Sequence, residues 1–273
     1  MNDIYDLIQA EYEKDNYKIE YNSCKNGLAY IYCSSNALYE KDNLQSFEDK
    51  IIKEDRYEWS NLRAECKPEI EIFIRDIWLS WYVKGINSRI NSYDKLIDFI
   101  RSITKGYTIR CVGASSGGFI GSILAMELNT EISYSFAGQF SLSHHFDHLK
   151  QNPYLKEYCT SGEKKYIEYY TRIPDSSTNI FYMFPNRSKQ DQEQYELVKT
   201  MNQLHTVKID IDEHGVAIYP FALPKYLSYN LHEIEKLAGG GSMSKMNASI
   251  KIGGWSNFIR WATKKILKMI KRW

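Results

Sequence analysis

The chain has 273 residues, 43% of them hydrophobic and 14% aromatic, enough for one α/β domain with a sizeable core and an appendage. Its net charge of +1 conceals a split. The part up to Ala238 carries all 34 acidic residues against 27 of the 35 basic ones, leaving −7, and the other eight basic residues follow it with no acid among them. An acidic body with cations confined to one end argues against nucleic acid as a partner. No run reaches the ~20 apolar residues that cross a bilayer, and the acidic opening segment lacks a signal-peptide core, so a cytoplasmic protein is expected.

In chain order, Tyr17 to Ser23 and Leu28 to Ser34 read as strands, and the Asn26-Gly27 between them is a hairpin signal. Glu69 to Ile74 alternates as a further strand and runs on through Arg75-Asp76-Ile77-Trp78. The aromatic faces of Trp78, Trp81 and Tyr82 suit either stacking on a ligand ring or packing beneath a cap. Ser92 to Thr104 has Leu96, Ile97, Phe99, Ile100 and Ile103 at helical spacing, with Gly106 as its stop.

Tyr107 to Leu128 (YTIRCVGASSGGFIGSILAMEL) is the most informative stretch. A buried strand, Ile109 to Val112, meets a G-x-S-x-G turn at Gly113 to Gly117 and passes into an apolar helix, Phe119 to Leu128. Such a turn lifts the hydroxyl of Ser115 clear of the sheet edge, and the helix N-terminus directs free N–H groups at developing negative charge. The plainer alternative is a helix cap at Ser115.

Ile132 to Phe136 reads as a strand, and Phe140 to Pro174 as an irregularly helical insertion over the sheet, a cap at about residues 140–175. Within it His144, His145, Asp147 and His148 place imidazoles at i and i+4, but no third ligand stands out and no metal or other cofactor is expected. Asn179 to Phe184 reads as a buried strand, Asp191 to Gln203 as a helix and Thr206 to Ile211 as a last strand. The five cysteines are odd in number without metal-type spacing and read as reduced thiols.

This order of strand, elbow serine, insertion, strand, acid, strand and histidine resembles the α/β-hydrolase superfamily over roughly Leu28 to Leu231. The resemblance implies a mostly parallel sheet flanked by helices, and a triad running serine, acid, histidine. Asp191, just beyond the strand Asn179 to Phe184, is the acid candidate, with Glu193 and Asp212 in reserve and helix capping as the alternative role. His214, in the turn after the last strand, is the base candidate, with His205 and His232 less well placed. An oxyanion hole would take the N–H of Ser116 and, from the loop leaving the Leu28 to Ser34 strand, that of Ser35 or Asn36.

The catalytic unit is therefore expected over residues 1–238, followed by a flexible linker over 239–254 that opens Gly239-Gly240-Gly241-Ser242. Beyond it a helical wheel sets Trp255, Phe258, Ile259, Ala262, Ile266, Met269, Ile270 and Trp273 on one face, and Arg260, Lys264, Lys265, Lys268, Lys271 and Arg272 on the other. An aromatic-rich stripe opposite a wholly basic face suits a helix lying on an anionic membrane surface, and packing on a protein face is its alternative. These features together lead to the expectation of a peripheral serine esterase or thioesterase acting through an acyl-enzyme on a lipid-linked acyl substrate, such as an intermediate of surface-polysaccharide biosynthesis. Transfer of the acyl group to a glycan hydroxyl and a non-catalytic scaffold are the alternatives; the oligomeric state is not indicated.

Overall fold

The computed structural model describes residues 4–143, 152–161, 164–238 and 240–270. Seven strands form one sheet: β1 (Tyr17–Tyr21), β2 (Leu28–Cys33), β3 (Ile70–Ile74), β4 (Thr108–Ala114), β5 (Ile132–Phe136), β6 (Asn179–Pro185) and β7 (Leu204–Ile209), in the order β1-β3-β2-β4-β5-β6-β7. Every pairing is parallel except β1 with β3. With helices on both faces and a serine turn at the end of β4, this is the α/β-hydrolase type of sheet.

The expected hairpin does not form, because β3 lies between β1 and β2. Burial explains the exchange. All five residues of β3 are buried, whereas β1 is half-exposed along its length. A strand buried on both faces belongs inside the sheet and a half-exposed one at its edge. Gly27 still turns the chain with φ of +65°, and its N–H donates to the Glu69 carboxylate instead of closing a hairpin.

Side-chain alternation divides the core into two layers. Ala29, Ile31 and Cys33 of β2 face the helices Tyr93–Ile103 and Ser116–Glu127 and the helical segments Pro153–Thr160 and Tyr169–Asp175. Tyr30 and Tyr32 face the opposite layer, which holds the helices Leu231–Ala238 and Lys245–Gly253. The first helix is set by Ser92, whose side chain accepts from the Lys95 N–H, and it buries Tyr93, Leu96, Ile97 and Ile100. Each such large apolar side chain contributes about 1.5–3 kcal/mol of burial.

Within the segment expected as a flexible linker, the described residues from Met243 onward are ordered against the fold. Met243 bridges Ile209 at the end of β7, and Ser244 caps the helix Lys245–Gly253, which buries Ala248, Ser249 and Ile252. A short segment rich in glycine and serine reads as a tether, yet these few side chains are enough to brace it to the core. The Arg75 to Tyr82 segment packs internally: the buried Asp76 carboxylate collects the N–H groups of Trp78, Ser80 and Tyr82, and the Tyr82 hydroxyl donates to the Ser34 carbonyl at 2.7 Å. The five cysteines are free thiols.

Candidate active site

The turn after β4 forces Ser115 to φ 50°, ψ −122°, outside the regions an L-residue prefers. Close packing explains the residues around it. A Cβ on Gly113 would lie 2.1 Å from the Gly117 carbonyl oxygen, and one on Gly117 would lie 2.4 Å from that of Cys33. Strand β4, its helix and the end of β2 are thus in backbone contact, and the Ser115 N–H is held by the Phe136 carbonyl at 2.9 Å. Ser115 is left half-exposed at the C-terminal edge of the sheet.

Two more strand ends converge on it. Asp191 lies in the first turn of the helix Lys189–Val198 that follows β6, and His214 lies in the loop after β7, next to Gly215 at φ +113°. His214 Nδ1 is 2.9 and 3.0 Å from the two Asp191 carboxylate oxygens, and its Nε2 is 3.0 Å from Ser115 Oγ. The carboxylate only accepts, so Nδ1 carries the proton and Nε2 keeps a lone pair toward the serine hydroxyl. Asp191 is 1% exposed and His214 28%. Helix capping does not account for Asp191, whose carboxylate faces the imidazole. Glu193 faces outward near Lys189, at 3.9 Å, and Asp212 is exposed. His205 bonds Asn179 at 3.0 Å, and His232 is exposed on the helix Leu231–Ala238.

The N-terminal N–H groups of the elbow helix, Ser116 foremost, lie directly after the serine. The other expected oxyanion donors are engaged within the protein. The Asn36 N–H donates to Ser116 Oγ at 2.8 Å, and the Ser35 N–H donates to the Glu58 carboxylate, which also accepts the Ser35 hydroxyl at 3.0 Å. Burial pushes the Glu58 carboxyl up, opposed by these two Ser35 bonds and by the Arg56 charge. The sequence carried no signal for Glu58, which sits in an irregular segment between elements.

A pocket of about 490 Å³ opens over Ser115 and His214. Its apolar lining includes Trp59, Leu62, Val216, Ile218 and Leu223. Among the described residues none of 140–175 lines it, although that insertion was expected to shape the site. The His144 to His148 cluster lies outside the described residues, and no group of three or more potential metal ligands occurs among those described.

The terminal helix Trp255–Ile270 divides its apolar residues. Trp261 packs on Tyr219 and Phe221, with ring centroids 4.9 and 5.4 Å apart, and Phe258 packs on Phe221 at 5.9 Å. Trp255, Ile259, Ile266 and Met269 remain 52–65% exposed as one stripe, and Arg260, Lys264, Lys265 and Lys268 are exposed beside it. Lys271, Arg272 and Trp273 lie outside the described residues. No described helix is long and apolar enough to cross a membrane.

No protein-family model and no curated protein matches the sequence. Solved structures resemble the chain at low identity. A capsule O-acetyltransferase of Neisseria meningitidis serogroup A aligns with 74% of this chain and 85% of its own at 14% identity, with a TM-score of 0.48. A Staphylococcus aureus protein of unknown function aligns over 87% and 94% at 12% identity and 0.43, and MenH from S. aureus over 87% and 98% at 8% and 0.42. The architecture common to this chain and the α/β-hydrolase superfamily is the parallel sheet with its serine turn, flanking helices and C-terminal strand ends gathered at one edge.

Proposed function

We propose that the chain is a serine esterase or thioesterase that forms an acyl-enzyme at Ser115. The observation that carries this reading is the continuous hydrogen-bonded line from Ser115 Oγ through His214 to Asp191, set at the foot of an open pocket. His214 Nε2 takes the serine proton as Oγ attacks the acyl carbonyl, and the imidazolium is held by Asp191. The Ser116 N–H and the positive end of the elbow helix stabilise the tetrahedral oxyanion. Collapse expels an alcohol or thiol protonated by His214 and leaves the acyl group on Ser115. Water, or the hydroxyl of an acceptor such as a glycan, then attacks with His214 as base.

The exposed stripe on the terminal helix and its adjacent cations support a peripheral station on an anionic membrane, where a lipid-linked acyl substrate, such as a surface-glycan intermediate, would be met. Turnover of p-nitrophenyl acetate, with products analysed in the presence and absence of a hydroxyl acceptor, tests the reading and separates hydrolysis from transfer. Loss of both activities in Ser115→Ala supports it; a folded wild-type protein that turns over no activated ester or thioester contradicts it.

A further inference from the structure

The pocket over Ser115 combines apolar walls with two cations, Arg56 and Lys245. Neither makes a salt bridge among the described residues, although the Arg56 charge acts on the Glu58 carboxyl. One N–H of Arg56 donates to the Leu38 carbonyl at 2.8 Å, which leaves the rest of its guanidinium fork without a protein acceptor among the described residues. Lys245, at the start of the bracing helix, places its ammonium 5.3 Å from the Tyr219 ring centroid. Among the described residues Glu58 is the one carboxylate lining the pocket, and its oxygens are taken up by Ser35. The pocket is thus lined by two half-buried positive charges and one carboxylate that is already hydrogen-bonded.

We propose that this pocket selects an ester or thioester that carries a phosphate or carboxylate group, paired with Arg56 and Lys245 while the apolar part lies against Trp59 and Ile218. The proposal rests on the acyl-enzyme reading and specifies its substrate class. The guanidinium fork fits a carboxylate or phosphate through two parallel N–H bonds, and the ammonium adds a point charge. Apolar walls strengthen both attractions by excluding water. A wholly neutral lipophilic ester would instead cover the two cations without replacing their hydration, which opposes its binding.

The test uses the full chain and two matched pairs of substrates. In the first, p-nitrophenyl butyrate is compared with the p-nitrophenyl half-ester of succinate, which puts the charge on the acyl side. In the second, the acetyl thioester of pantetheine is compared with that of 4′-phosphopantetheine, which puts it on the leaving group. For at least one pair the charged member has the higher kcat/KM, and that pair tells on which side the anion sits. In that pair Arg56→Gln and Lys245→Gln each lower the charged-to-neutral ratio about tenfold, equivalent to about 1.4 kcal/mol. In wild type the same ratio falls as salt rises from about 50 to about 500 mM, a check that holds even if a variant folds poorly. Equal losses on both members, or a ratio unmoved by either variant and by salt, overturn the proposal. Calorimetric binding to the Ser115→Ala protein separates the two readings. Charged-substrate binding that weakens in Lys245→Gln, with no turnover in wild type, preserves the anion site and removes the nucleophile; binding indifferent to both cations removes the anion site whatever the turnover.

Discussion

Replacing Asp191 with asparagine keeps the shape of the side chain and removes the charge that faces His214. In the resting protein the carboxylate accepts from Nδ1–H at 2.9 and 3.0 Å with almost no access to water. When His214 takes the serine proton, a full positive charge develops about 3 Å from that carboxylate. At an effective dielectric of about 20 the attraction is roughly 5 kcal/mol. The side-chain amide of the Asp191→Asn variant loses this attraction and, by presenting N–H to Nδ1, favours the tautomer whose Nε2 cannot accept a proton. At 1.36 kcal/mol per tenfold, kcat/KM should fall by about 10³–10⁴. The assay is hydrolysis of p-nitrophenyl acetate at saturating and limiting substrate, alongside thermal unfolding to establish that the variant is folded. A folded Asp191→Asn protein that loses less than tenfold would refute the role of the carboxylate.

Three other outcomes follow from named contacts. Gly117→Ala puts a methyl group 2.4 Å from the Cys33 carbonyl oxygen, so the elbow must shift; urea denaturation should register a loss of about 1–3 kcal/mol, and activity should fall further than stability. Asp76 is fully buried, and burial raises its pKa to about 6 against the three N–H groups that hold its charge. A pKa raised on folding gives stability that is present below the unfolded value near 3.8 and lost as pH rises to about 6. That part of the pH dependence, on the order of 3 kcal/mol, should vanish in Asp76→Asn when unfolding is followed across the window. Finally, Ile259→Glu with Ile266→Glu reverses the character of the exposed stripe without touching Phe258 or Trp261, and should abolish co-sedimentation with anionic vesicles while leaving ester turnover in solution within about twofold. Unchanged sedimentation removes the membrane from the account.

The legibility of this chain follows the local strength of its signals. Strands β5 and β6 are buried almost throughout, β4 is buried toward its C-terminal end and β7 at Val207 and Ile209, so strand order located Ser115, Asp191 and His214 at strand ends without knowledge of distances. The β1–β3 pairing was not legible, because Asn26-Gly27 is a strong local signal that tertiary burial of Ile70 to Ile74 overrides. The helix Lys245–Gly253 carries few apolar residues behind a glycine run, and only its packing on the 219–222 segment reveals it; there the Tyr219 N–H donates to Ser249 Oγ at 2.9 Å. Glu58 and Arg56 reach the pocket from an irregular segment with no period at all, so their place beside Ser35 is a property of the folded chain alone. The terminal helix shows both sides of the same limit. Its amphipathicity is plain in the sequence, but which aromatics are sheathed by Tyr219 and Phe221 is decided by the docking angle.

The central claim is that Ser115 is a nucleophile activated through His214. It is tested most directly by intact-mass analysis after exposure to a fluorophosphonate. The account predicts a single phosphonyl adduct mapped to Ser115, absent in Ser115→Ala and formed at least about a hundredfold more slowly in His214→Ala, the scale of general-base assistance at about 10²–10⁴. A folded wild-type protein that takes up no adduct, or an adduct that persists in Ser115→Ala, contradicts it.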